Sequence, residues 1–242
     1  MSEMICGKNS VLEALKGGRA VSRVFLAQGI DRAFVRQVID LCREKGVPYL
    51  EIPRQQLERL AGEDNRGVAA EVAAAEYVET ADILRAAAEK GEPPLVLILA
   101  EVEDPHNLGA VMRTALCAGA HGIIIPKRRS ATLNQTVAKV AAGAAGILPV
   151  ARVPNLVRAL EELQEAGLWA VAADMGGAPL WELDLSGPLA IVLGGEGAGI
   201  APLLLSKCDF KASIPMQGPI SSLNVSAAAA VFLFEAVRRR CV

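Results

Sequence analysis

From Leu95 onward the chain alternates near-continuous apolar runs with helix-length segments, and that alternation admits few folds. The runs cover 95–100, 122–126, 168–173, 189–193 and 210–214. A strand with one wet face alternates apolar and polar residues, whereas a strand buried on both faces reads as an unbroken apolar run. The intervening segments, at about 107–118, 134–142, 155–166 and 222–239, have helical length. The pattern predicts an α/β class: a parallel sheet covered on both faces by helices.

The first 76 residues read differently. A helix is expected over 9–16, ended by Gly17-Gly18, then a strand over 21–27. Helical periodicity follows over 31–45, with Phe34, Val35, Val38, Ile39 and Cys42 on one side and Gly46 as the stop. Two more strands, 47–52 and 67–73, flank a polar loop at 62–67. This is a small α/β unit in which acidic and basic residues balance. A helix at 80–90 is closed by Gly91 and Pro93-Pro94, so the boundary falls at 77–94. The expected organisation is 1–76, a linker with a short helix at 77–94, and 95–242.

Composition removes several classes. Hydrophobic residues at 52% supply a core, and charge at 21% is too low for a disordered chain. Aromatics at 4% argue against base-stacking platforms as the main route to RNA. The net charge of −2 favours no particular partner, so any nucleic-acid affinity must come from local basic patches. Five cysteines without CxxC spacing and only two histidines, His106 and His121, argue against disulfides and metal. No apolar run approaches a membrane span. A reducing cytoplasm fits this composition.

Three segments carry chemistry. Glu103 to Gly109 follows the first apolar run of the second half; Asp104 and Pro105 suit a helix start, and Asn107 is a candidate cap. Arg113 then falls among apolar helix residues, where a buried guanidinium needs a sheet-end carboxylate or a ligand anion. Leu193 to Ile200 contains four glycines, which permit positive φ and close backbone approach. It has no Gly-Lys-Ser/Thr, and no acid is spaced downstream to hold a dinucleotide ribose. Its place after a parallel strand suits a ligand, although a plain turn has the same composition. The third segment, 214–226, places two prolines and a glycine before Ser221, Ser222 and Asn224, which either cap a helix or orient a ligand. Lys127, Arg128 and Arg129 are candidate phosphate contacts or a solvated loop. Arg238 to Arg240 suit a helix C-terminus.

Together these segments resemble the SpoU (TrmH-like) branch of the SPOUT RNA methyltransferases. The resemblance rests on Asp104, Pro105, Asn107, Gly109 and Arg113; on Gly194, Gly195, Glu196 and Gly197; and on Ile214, Pro215, Met216 and Ser222 to Ser226. Residues 6–15 and Arg66 to Ala70 look like the family's L30e-like substrate-binding domain. The whole chain resembles the RlmB-like subfamily, which methylates a guanosine ribose in 23S ribosomal RNA. One departure is Asn65-Arg66, where that subfamily often has His-Gln.

The resemblance implies a C-terminal trefoil knot, an exception to the rule that chains are unknotted, and S-adenosylmethionine as cofactor. It implies cofactor contacts from Gly194, Ile214 and Leu223 through backbone groups, with Met216 nearby. It implies a catalytic Arg113 supported by Asn107, Glu196, Ser222 and Asn224, RNA contacts from Arg66, Lys127, Arg128 and Arg129, no metal, and a site completed in a homodimer. Three alternatives stay open: the same chemistry on transfer RNA, a non-catalytic RNA-binding ribosome-assembly factor, and a small-molecule nucleotide enzyme. The last would need an early phosphate-binding glycine loop, which the chain lacks.

Overall fold

The computed structural model describes residues 2–16, 21–73, 77–195, 197, 199–219 and 222–241, which fall into two units. The first unit runs through β1 (Ser2–Cys6), α1 (Lys8–Lys16), β2 (Val21–Ala27), α2 (Arg32–Lys45), β3 (Tyr49–Ile52), α3 (Arg54–Ala61) and β4 (Val68–Ala73). Its sheet order is β1–β4–β2–β3, with β4 antiparallel to both neighbours and β2 parallel to β3. Strand β2 is buried on both faces. Val24 and Leu26 pack with Val11, Leu15 and Val38 of the helices α1 and α2, while Phe25 and Ala27 pack with Leu57 of α3.

Local chemistry sets the ends of α2. The Asp31 carboxylate accepts hydrogen bonds from the Ala33 and Phe34 N–H groups, and Gly46 closes the helix at φ 67°. The turn before β4 is braced by buried Asn65, whose amide donates to the Gly62 carbonyl and accepts from the Gly67 N–H at 2.8 Å. The expected strand 47–52 begins only at Tyr49, because Val47 still donates to Cys42 at the end of α2. Strand β1 and helix α3 are additions to the sequence reading.

The second unit holds α4 (Thr80–Lys90), β5 (Leu95–Ala100), α5 (Pro105–Cys117) and β6 (Gly122–Pro126). The chain then contributes Leu133–Ile147, including α6 (Gln135–Val140), to the first unit. It continues in the second unit through β7 (Val150–Val153), α7 (Leu156–Glu165), β8 (Trp169–Pro179), β9 (Leu189–Gly194), α8 (Pro202–Lys207), β10 (Phe210–Ser213) and α9 (Val225–Arg240). The sheet order is β10–β8–β9–β5–β6–β7, and every pairing is parallel. The expected doubly covered parallel sheet is present, and the smaller α/β unit is a separate one.

Val96, Ile98, Ala190 and Val192 face α7 and α8, where they meet Leu160, Leu163 and Leu204. Successive strand residues point to opposite faces, so Leu97, Leu99, Ile191 and Leu193 turn to the side where α9 contacts β9 and packs against α5. The last segment thus returns from the edge strand β10 to the middle of the sheet.

Three boundaries shift. Helix α5 begins at Pro105 because Asp104 caps it, its carboxylate accepting from the His106 N–H at 2.8 Å; Asn107 is therefore a buried helix residue and not the cap. Helix α9 begins at Val225 and not at Ser222, with Asn224 as its cap. Strand β8 continues past Ala173, where the apolar run ends, to Pro179. Strand β7 and helix α8 complete the unit.

Candidate active site

The site forms where the parallel strands end. Strand β9 runs into Gly194 and Gly195, and Gly195 bridges back to Gly199, which has φ 65°. Side chains cannot be added here. A Cβ on Gly194 would lie 2.3 Å from the Gly199 carbonyl carbon, and one on Gly195 would lie 2.2 Å from the Glu101 carbonyl oxygen. The glycines thus let the loop close on itself and on the end of β5. The neighbouring wall, 214–216, follows β10, and 222–225 lead into α9.

Between these walls lies a cavity of about 620 Å³, within the range of sites for small organic ligands. Six of the residues expected to hold the cofactor or act in catalysis line it: Gly194, Ile214, Met216, Ser222, Leu223 and Asn224. The lining is largely backbone and apolar surface, which suits a ligand recognised through its shape and through main-chain groups. Ser221 and Glu196 lie outside the described residues.

A smaller recess of about 360 Å³ shares Gly195, Gly197 and Val225 with the cavity and is lined also by Asn107, Asp104 and Glu101. The two spaces are spanned by one hydrogen bond: the Asn224 amide donates to the Asn107 side-chain oxygen at 3.0 Å. The Asn224 oxygen accepts from the Ser226 N–H at 2.9 Å and from the Ser226 hydroxyl at 2.6 Å. Capping and site geometry, alternatives in the sequence, are here the same side chain doing both.

Arg113 corrects an expectation. It is exposed, and among the described residues it forms no hydrogen bond or ion pair. Helix α5 buries Leu108, Val111, Met112 and Ala115, and Arg113 projects from the face those residues leave free. Among the described residues no carboxylate pairs with it, so its fork of donors is open to an anion.

The basic segment after β6 is partly engaged. Arg129 donates to Glu101 at 3.1 Å, and both residues adopt left-handed backbone, at φ 54° and 59°. The Lys127 carbonyl accepts from Arg152 at 2.9 Å, whereas the Lys127 and Arg128 side chains are exposed. Arg66, in the first unit, is exposed at φ 50° in the turn braced by Asn65. Among the described residues no cluster of His, Cys, Asp or Glu is placed to hold a metal, and no helix is long and apolar enough to cross a membrane.

Sequence reasoning missed one wall of the cavity. Ala173, Asp174, Met175 and Gly176 line it from the end of β8. The available signal was Asp-Met-Gly-Gly directly after an apolar run, at the carboxyl end of a parallel strand.

The geometry agrees with known proteins. Residues 94–234 match the SpoU rRNA Methylase family, and residues 4–78 match the RNA 2′-O ribose methyltransferase substrate-binding family. The Bacillus subtilis protein YacO, named for the TrmH family of tRNA/rRNA methyltransferases, is 45% identical over 98% of this chain and 96% of its own length. The AdoMet-bound rRNA methyltransferase from Sinorhizobium meliloti has a TM-score of 0.81 and 28% identity, over 98% of this chain and 87% of that one. The A. aeolicus TrmH/SpoU tRNA modifying enzyme has a TM-score of 0.56 and 29% identity, over 61% of this chain and 75% of that one.

Proposed function

The chain belongs to the SpoU family of S-adenosylmethionine-dependent RNA ribose 2′-O-methyltransferases, and from that premise we propose that it methylates a guanosine ribose of 23S ribosomal RNA as a cytoplasmic homodimer. One observation carries the choice of RNA. The similarity to a ribosomal RNA enzyme extends over 98% of the chain, whereas that to a transfer RNA enzyme covers 61%. In this reading residues 1–76 bind the substrate, 77–94 link, and 95–242 carry out the transfer.

The cavity fits the cofactor in its volume of about 620 Å³ and in a lining that is mostly uncharged, with glycines that offer main-chain groups. When bound, S-adenosylmethionine supplies an electrophilic methyl group on a cationic sulfur. Gly194, Ile214 and Leu223 hold it through backbone groups, with Met216 beside it. The open guanidinium of Arg113 grips the phosphate next to the target ribose and aims its 2′-hydroxyl. A guanidinium keeps its proton until far above neutral pH, so the phosphate or a water takes the hydroxyl proton. Asn107, Asn224, Ser222 and Glu196 orient Arg113 and the ribose, and much of the rate comes from that alignment. Arg66, Lys127, Arg128 and Arg129 contact RNA phosphates, with Arg129 exchanging Glu101 for RNA.

The dimer reading rests on exposed apolar side chains along α9 and the segment before it: Leu223, Val231 and Phe234 are 40%, 38% and 49% exposed.

Labelled methyl transfer to unmodified ribosomal and transfer RNA, followed by fragment mapping, tests the substrate. Label at a single ribose of the large-subunit RNA supports the reading. Label in transfer RNA leaves the chemistry standing and overturns the substrate.

A further inference from the structure

Strand β8 carries an irregularity that the sequence hides. Lys211 of β10 pairs with Ala172, but the next residue, Ala212, pairs with Ala178. Residues 173–177 are therefore looped out of the ladder, and such excursions re-aim side chains beside sites. The loop is held closely: a Cβ on Gly177 would lie 2.4 Å from the Lys211 carbonyl carbon, so only glycine fits there. The excursion carries Asp174 onto the cavity wall, as the one charged side chain among the described residues that line it. One carboxylate oxygen accepts from the Gly176 N–H at 2.9 Å, which fixes its direction and leaves the other oxygen open.

Asp174 lies on a strand two places away in the sheet from β5. Strand β9 separates β8 from β5, whose end leads to Asn107. Two strand spacings amount to about 10 Å. Its partner must then be a part of the cofactor that does not react. Nucleotide sites on open parallel sheets have a recurrent solution: a glycine loop follows one strand, and an acid at the end of the adjacent strand holds the ribose hydroxyls. Here the glycine loop follows β9 and the acid ends the neighbouring β8. The acid precedes the loop in the chain, so a search downstream of the glycines does not find it.

We infer that the Asp174 carboxylate accepts hydrogen bonds from the ribose hydroxyls of the adenosyl group and so sets cofactor affinity. The inference rests on the assignment of this cavity to S-adenosylmethionine.

Titration calorimetry on the full chain tests it without any turnover. Two ligands are compared, S-adenosylhomocysteine and 5′-methylthioadenosine, which keeps the ribose and lacks the amino acid. Asp174→Ala should weaken both by about tenfold to a hundredfold. Asp174→Asn, which keeps one acceptor oxygen, should weaken both by less. The 2′,3′-dideoxy analogue of S-adenosylhomocysteine should bind wild type and both variants alike. Weakening confined to S-adenosylhomocysteine would assign Asp174 to the amino-acid end and overturn the inference, as would unchanged affinity in both variants. A wild-type protein that binds neither ligand would remove the cavity assignment itself, and this inference with it.

Discussion

The Asn224 amide donates to the Asn107 side-chain oxygen at 3.0 Å, joining residues 117 positions apart in the chain. One partner caps α9 and the other is buried in the first turns of α5, so the bond ties together the two helices that bound the site. The cap and the tie can be separated. Asn224→Ala loses both, at about 1 kcal/mol for the cap and about a further 1 kcal/mol for the lost hydrogen bond to Asn107. Asn224→Asp keeps a capping oxygen and loses only the donor. Urea unfolding should therefore rank wild type, Asp and Ala in falling stability, while methyl transfer drops at least tenfold in both variants. An Asp variant with wild-type transfer rate would show that the tie does not matter to chemistry.

Arg113 supports a cleaner separation of stability from activity. It is exposed and unpartnered among the described residues, so Arg113→Ala and Arg113→Lys should change stability by no more than about 0.5 kcal/mol. Both should lower single-turnover methyl transfer by about a hundredfold or more, because Lys offers a point charge where the fork grips a phosphate. Cofactor affinity should be unchanged in both. A Lys variant near wild-type rate would refute the fork argument.

What the sequence made legible follows from burial. Strands buried on both faces announce themselves as unbroken apolar runs, and four of the five expected in the second half begin on their observed starts while the fifth, β8, begins one residue later than expected. Strand β7 is short and carries Arg152 among its four residues, and α3 buries only Leu57, so neither has a pattern to detect. The cavity's glycine loop and the 222–224 segment were visible because their residue types are restrictive. Asp174 was not, since its position depends on a ladder irregularity that only the pairing of β8 with β10 reveals. Arg113 was misjudged because an apolar neighbourhood in sequence says nothing about which side of a helix is left uncovered.

The arginines that end the chain's last helix show the same limit. Read as macrodipole partners, they include one with a more specific role. Arg240 donates to the carbonyls of Pro93, Pro94 and Gly187 at 2.8 to 3.0 Å, gathering the segments that lead into β5 and β9. Arg240→Ala should cost about 3 kcal/mol, since three carbonyls lose a charged donor. Arg238→Ala, which removes only a solvent-screened pair with Glu235, should cost far less. Equal losses in chemical denaturation would refute the clamp.

Phe234, 49% exposed on α9, tests the proposed assembly. Phe234→Glu puts a charge on the apolar stripe and should shift sedimentation from dimer to monomer, with methyl transfer falling alongside. A wild-type monomer, or an unchanged dimer in the variant, would place the interface elsewhere or remove it.

His121 gives the fold a pH dependence with a defined sign. It is 2% exposed, its Nδ1 accepts from the Leu95 N–H at 3.1 Å, and its Nε2 lies 3.1 Å from a Glu92 carboxylate oxygen. That network requires the neutral ring with its proton on Nε2. Burial pushes the ring's pKa below the ordinary histidine value, and the Glu92 hydrogen bond opposes this only in part. The folded protein therefore binds fewer protons at His121 than the unfolded chain does once pH falls below about 6.5. The contribution is fully present above that value and is lost as pH falls toward the folded pKa, with a limiting slope of about 1.4 kcal/mol per pH unit. Urea unfolding of wild type should be flat from pH 8 to 7 and weaken below it. His121→Asn, whose side-chain oxygen can still accept from Leu95, should be less stable at pH 8 yet flatter between pH 7 and 5.5. The same slope in both proteins would mean that another group, and not the ring beside β5, sets the acid side of the stability curve.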